Sequence, residues 1–160
     1  MRFRFLLPLL IAPLLMAGAK KPVVTVRFHL KAAGSDAPPF VVPVQVPGAP
    51  APVNIKKIPE ISERSIQAIY PFQAADGTMG CAYKLDAHGR IGLDTTSSEN
   101  KGGVLVAFVN GRLVTAMLID KRISDGVIMI PSGLFPPEID AMKKLYPVIG
   151  ETPKKGKKKR

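Results

Sequence analysis

The strictest alternation in the chain runs through VVTVRFHLK. Val24, Val26, Phe28 and Leu30 fall on one face, and Thr25, Arg27, His29 and Lys31 on the other. Successive strand side chains point to opposite faces, so this pattern predicts a strand with one buried side. MGCAYKL repeats it, with Met79, Cys81, Tyr83 and Leu85 on the buried side. FVVPVQVPGAPAPVNIKKI predicts two short extended pieces around a Pro-rich turn. Pro43 suits an edge strand, where its missing N–H does least harm.

LVAFVNGRLVTAML breaks the alternation, because both of its faces are apolar. Asn110-Gly111 is the pair that best tolerates positive φ at both central positions of a two-residue hairpin turn. Val109 is then expected opposite Arg112, Phe108 opposite Leu113 and Val106 opposite Thr115. One face carries Val104, Val106, Phe108, Leu113 and Met117; the other carries Leu105, Ala107, Val109, Val114, Ala116 and Leu118. GVIMI, after the turn Ser124-Asp125-Gly126, is expected to add a third strand that is apolar on both sides.

Helical periodicity is scarcer. In IPEISERSIQAIYPF, Ser62 is a candidate N-cap, Ile66 and Ile69 have helical spacing, and Pro71 stops the helix within about two turns. FPPEIDAMKKLYP is a stronger helix. It has prolines in its first turn, Glu138 and Asp140 near its positive end, Lys143 and Lys144 near its negative end, and Ile139, Met142, Leu145 and Tyr146 on one stripe. LDAHGRIGLD, with two glycines, reads as the turn of a second hairpin around Asp86-Ala87-His88-Gly89.

Charge adds an address rather than a nucleic-acid function. The chain of 160 residues carries 23 basic and 12 acidic side chains, a net +11. Arg2, Arg4 and six of the last seven residues supply eight of the basic groups, which leaves 15 against the 12 acids. A body so close to neutral, with few and scattered aromatics, offers nucleic acid neither charge nor a stacking platform. MRFRFLLPLLIAPLLMAGAKK has the order of a signal peptide: arginines, an apolar run, then an Ala-x-Ala step at Ala17 to Ala19. That run falls short of the ~20 residues a membrane-spanning helix needs. The expectation is export to the periplasm or cell envelope, with the mature chain beginning at Lys20. The tail ETPKKGKKKR has nothing apolar to bury and reads as a solvated basic end, or as a contact to an anionic envelope surface.

Reactive groups are sparse. Cys81 is the only cysteine, so no internal disulfide can form, and its alternation marks it as a small core hydrophobe. His29 lies on a polar strand face and His88 in a turn. Asp86 and His88 beside Thr95, Thr96, Ser97 or Ser98 form no known nucleophile spacing, and Asp120 and Asp125 read as loop carboxylates. Metal sites need converging ligands, and none cluster here. No catalytic, cofactor-binding or metal-binding residue is assigned, no cofactor is expected, and the chain is read as a non-enzyme. No binding residue stands out.

ENKGGVLVAFVNGRLVTAMLIDKRISDGVIMI resembles the head subdomain of the first periplasmic domain in the SecD/SecDF protein-export family. The likeness rests on Asn100, Gly102, the apolar strand Leu105 to Val109, Asn110-Gly111, Val114 to Ile119, Ile123, Gly126, Ile128, Ile130 and Glu138. ISERSIQ looks like the short helix that opens that subdomain, and the likeness extends over roughly residues 55 to 146. Two departures stand out. The family has a helix where this chain has AHGRIGLDTTSS, and its Phe-Thr before the last helix is replaced here by Leu134-Phe135-Pro136. The sequence shows no counterpart of the membrane helices that couple the family to the proton gradient, so a proton-driven motor is not expected. The resemblance implies a module that engages a translocating chain.

Taken together, the sequence predicts an α+β fold: a single mainly antiparallel sheet of four to six strands, with one long and one short helix packed on it. It divides into a signal peptide (1–19), an N-terminal strand and Pro-rich segment (20–52), a SecD-head-like domain (53–150) and a disordered basic tail (151–160). Two helices can shield one face of such a sheet. Either the segment 32–52 folds over the second face or a partner does. The function expected is binding of protein or peptide segments in the envelope, accessory to export, with a second copy of the chain as another candidate partner. The alternative is a structural protein tethered to anionic lipid or polymer by its tail.

Overall fold

A computed structural model describes residues 24–151, and in it the alternating first segment forms strand β1 (Val26–Leu30), with Val26, Phe28 and Leu30 buried. The elements that follow are β2 (Val41–Val44), β3 (Val53–Lys56), β4 (Ile61–Ser62), β5 (Ile66–Gln73), β6 (Met79–Leu85), α1 (Ala87–Glu99), β7 (Val104–Val109), β8 (Arg112–Leu118), β9 (Val127–Leu134) and α2 (Pro136–Leu145). The class is α+β and every pairing between these strands is antiparallel. The expected signal peptide, and the tail beyond Glu151, lie outside the described residues.

The single layer expected from sequence is instead three sheets: β4-β1-β7-β8, β5-β6-β9 and the two-stranded ribbon β2-β3. β9 does not extend the β7–β8 hairpin. It pairs with β6, where Ile128 and Ile130 complete the buried face of Cys81 and Tyr83. β1 sits between β4 and β7, so the N-terminal segment shares a sheet with the rest of the chain. The division at 52/53 falls between β2 and its partner β3.

The inner faces of the two larger sheets meet in one core. Phe28 of β1 packs edge-on against Tyr83 of β6, with ring centroids 6.0 Å apart. Leu93 of α1 and Ile139 and Met142 of α2 join the same cluster. Each apolar side chain of this size contributes roughly 1.5–3 kcal/mol on full burial. The Tyr83 hydroxyl donates to Met142 Sδ at 3.6 Å, and burial pushes its pKa far above the ordinary tyrosine range. Of the two predicted helices, the acidic-to-basic one is α2.

Two local readings are reversed. The helix expected from Ser62 is a single 3-10 turn (Glu63–Ser65) followed by strand β5. Ile66 and Ile69 are both buried because a register shift between Ile66 and Ala68 in the pairing with β6 converts a strand's spacing of two into three. A bulge thus imitates helical spacing. The hairpin expected around Asp86-Ala87-His88-Gly89 is instead the start of α1. Asp86 caps it by accepting from Gly89 N at 2.8 Å. Gly89 serves close approach, since a Cβ there would lie 2.7 Å from Ser65 Cβ.

The β7–β8 hairpin turns on Asn110 (φ 51°) and Gly111 (φ 78°), as the sequence requires. Val109 pairs with Arg112 and Phe108 with Leu113, but Val106 pairs with Ala116, not Thr115. A register shift between Ala107 and Phe108 moves Met117 to the core side beside Leu105 and puts Ala116 and Leu118 with Val106 and Val104 on the second face. The β2–β3 ribbon folds over part of that face. It is fastened by His29 Nδ1 to the Lys56 carbonyl (2.9 Å) and by Ala32 N donating to Asn54 O (2.8 Å). Val106 of the sheet and Ile55 of the ribbon are buried where the two meet, whereas Leu118 is left 65% exposed.

Candidate functional site

The uncovered part of the second face ends at a strand rim. β8 is the outermost strand of its sheet. Just past it, Ile119 N donates to Gly103 O at 2.9 Å, toward the β7 side. Antiparallel pairs alternate between hydrogen-bonded and non-hydrogen-bonded, so the main-chain groups of Leu118 and Ala116 point away from β7. On β9, Leu85 N donates to Gly126 O at 2.9 Å, and the same alternation turns the main chain of Val127 and Met129 away from β6. The Val127 N–H is taken by Asp125 Oδ1 at 3.0 Å.

Between the two rims lies an apolar slot of about 240 Å³, with Leu105, Ile119, Ile123 and Ile128 among its lining and Lys121 and Asp125 beside them. Met129 is 48% and Val127 38% exposed at its margin. The rims converge at the other end. Arg112 Nη2 donates to Gly133 O at 3.0 Å and to both Glu138 carboxylate oxygens, at 3.0 and 2.8 Å, and its guanidinium lies 4.5 Å from the centroid of the Phe135 ring. Glu138 also accepts from Phe135 N, which ties the start of α2 to the same point. A side chain at Gly133 would come 3.2 Å from Val114 Cγ1. The slot is therefore closed by a charge-assisted cluster at one end and open at Leu118.

This geometry suits an extended polypeptide. An added strand would satisfy the outward groups of Ala116 and Leu118, and its alternate side chains would enter the slot. The sequence made the hydrophobicity of the ribbon visible but not which residues face out, because the bulge at Val114 carries no signal of its own.

The weighed reactive residues do not assemble. Asp86 is spent on capping α1, and His88 lies exposed in its first turn. Ser97 Oγ donates to Asp94 O and accepts from Ile123 N, and Ser98 Oγ donates to Thr95 O. Asp120 is exposed and Asp125 bonds Val127 N. Cys81 is buried, and burial pushes its thiol up to about 11, so the reactive thiolate is disfavoured. Among the described residues no group of three or more His, Cys, Asp or Glu side chains is placed to hold a metal ion, and no helix is long and apolar enough to cross a membrane.

No protein-family model matches the sequence, and no curated protein sequence matches it. Solved structures do match in fold. One is SecDF described as a membrane component that enhances protein export; it superposes with a TM-score of 0.54 at 15% identity, over 78% of this chain and 63% of that one. Another is SecDF in a super-membrane-facing form, with a TM-score of 0.52 at 14% identity, over 74% of this chain and 17% of that one. The chain thus spans less than two thirds of either protein. What it shares with them is architecture: its fold is that of a SecD-like domain.

Proposed function

We propose that the chain is an accessory, non-enzymatic module of protein export in the cell envelope, which holds extended polypeptide segments along β8. The observation that carries this reading is the unpaired rim at Ala116 and Leu118 beside an apolar slot. Main-chain pairing is indifferent to sequence, which suits a binder of many clients. The fold shared with SecDF, which enhances protein export, supports the same direction. On this reading residues 1–19 direct export, and residues 53–150 correspond to the head subdomain.

Photocrosslinking tests it. A photoreactive residue at Leu118 is expected to capture exported chains, and one at exposed His88 on α1 is not. Capture of the protein itself from Leu118 would reassign the rim to self-association. Equal capture from both positions, or from neither, would end the proposal.

The run of basic residues from Lys154 to Arg160 favours a second reading, a tether to anionic lipid or polymer. Deleting it should then release the protein into the soluble fraction at low salt, and unchanged partition would refute the tether.

A further inference from the structure

The β2–β3 ribbon does not lie flat on the sheet it covers. Its fastenings are near β3 and the end of β1, and away from them it stands off and leaves a half-open cavity of about 290 Å³. The walls are apolar: Val42, Val44 and Ile55 from the ribbon and Phe108 from β7. Val42 and Ile55 are cross-strand partners and Val44 follows two residues along, so strand alternation directs all three to one side.

The polar part of the lining is one-sided in charge. Arg27, His29 and Lys57 contribute to it, and no Asp or Glu does. Arg27 is partly offset from outside the cavity by Glu63, 3.5 Å from its Nε. Among the described residues Lys57 has no salt-bridge partner. His29 Nδ1 faces a carbonyl, which can only accept, so Nδ1 carries the proton and Nε2 is left without that partner. Its ring meets Phe108 edge-on at 5.4 Å, which joins the polar and apolar parts of the lining.

A volume at the lower end of small-ligand pockets, apolar walls and two cationic side chains, Arg27 and Lys57, define a ligand class. We infer that this cavity binds a small amphipathic carboxylate: an acid group on an aliphatic or aromatic body about the size of one Phe side chain. The site is separate from the β8 rim and stands whether or not that rim binds polypeptide. The acid comes either from a free carboxylic acid or from the C-terminal residue of a peptide.

Titration of the full chain, followed by nuclear magnetic resonance, separates these outcomes. The probes are 3-phenylpropanoate for a free acid, N-acetyl-L-phenylalanine for a chain terminus, and N-acetyl-L-phenylalaninamide as the uncharged control. Saturable shifts at Thr25, His29 and Gly111 are expected with one or both acids, and which acid binds identifies the source. The amide should bind on the order of tenfold more weakly, and Lys57→Gln should weaken the acid by a similar factor, as for loss of a charge-assisted contact. Val44→Phe fills the cavity from the ribbon and should abolish the shifts while leaving the core untouched. No binding by either acid, equal binding by the amide, or full binding by a folded Val44→Phe protein would overturn the inference.

Discussion

β5 and β8 are both outer strands, both mostly apolar, and yet they are finished differently. β5 carries Pro71, which has no N–H to offer, and its rim is covered by the chain that follows α2. Ile69 N donates to Pro147 O at 3.0 Å, and Ile149 N donates to Ile69 O at 2.8 Å. β8 has no proline, and although its Arg112 end is tied to β9 and α2, no segment covers its other end at exposed Leu118. Unprotected strand edges are templates for pairing with other chains, and proteins commonly blunt them. The chain protects the rim of β5 and leaves the Leu118 end of β8 open, and that contrast is why the proposed companion is placed at β8.

The largest test removes the contrast altogether. Asn110→Pro forbids the positive φ of the β7–β8 turn and deletes the bond from Asn110 N to Thr25 O. A loss of about 3 kcal/mol or more is expected in urea unfolding, and unchanged stability would show that the turn does not hold β8 in place. Next, ending the chain after Tyr146 strips the cover from β5. Losing two main-chain bonds should cost about 1–3 kcal/mol and give β5 the crosslinking behaviour of β8. A stripped β5 that captures nothing would mean that an open rim alone is insufficient.

Arg112→Met acts on the closed end of the slot. The ion pair is partly solvated, with Arg112 38% and Glu138 13% exposed, so about 1 kcal/mol is expected after allowing for screening. The more telling readout is faster hydrogen exchange at Gly133 and Val114, and unchanged exchange there would argue against a closing role. Leu118→Lys should shift stability by less than about 0.5 kcal/mol, because the side chain is already exposed. It should nevertheless abolish capture of clients, whereas Tyr70→Lys on β5 should not. The smallest effect is one of pH. The Arg122 guanidinium donates to Asp94 at 2.7 Å and holds that carboxyl below the ordinary aspartate range. The tie it makes from α1 to the 120–126 loop is present above the ordinary aspartate pKa and is lost as pH falls through the lowered one. Acid should therefore loosen this wall of the slot, seen as resonance changes at Ile123, and Asp94→Asn should remove that dependence.

How far the sequence foretold this molecule depends on whether one face or two decided each element. β1 and β6 were legible because each buries one face of a clean alternation. The Asn110-Gly111 turn was legible because few residue pairs adopt its backbone. β5 and α1 were not. A bulge gave β5 a helix-like spacing, and Gly89 reads as a turn residue until Ser65 is found 2.7 Å from where its Cβ would be. The site was half legible. An excess of apolar surface on the β7–β8 ribbon could be read directly, but the residues left bare depend on the bulge at Val114 and on the distant β2–β3 ribbon.

Amide hydrogen exchange with and without an extended peptide of alternating Val and Thr tests the central claim most directly. Strand addition at β8 predicts that the peptide slows exchange at Ala116 and Leu118 and leaves Ile69 and Tyr70 on β5 unchanged. Unaltered exchange at Ala116 and Leu118 under saturating peptide, or protection confined to β5, would contradict it.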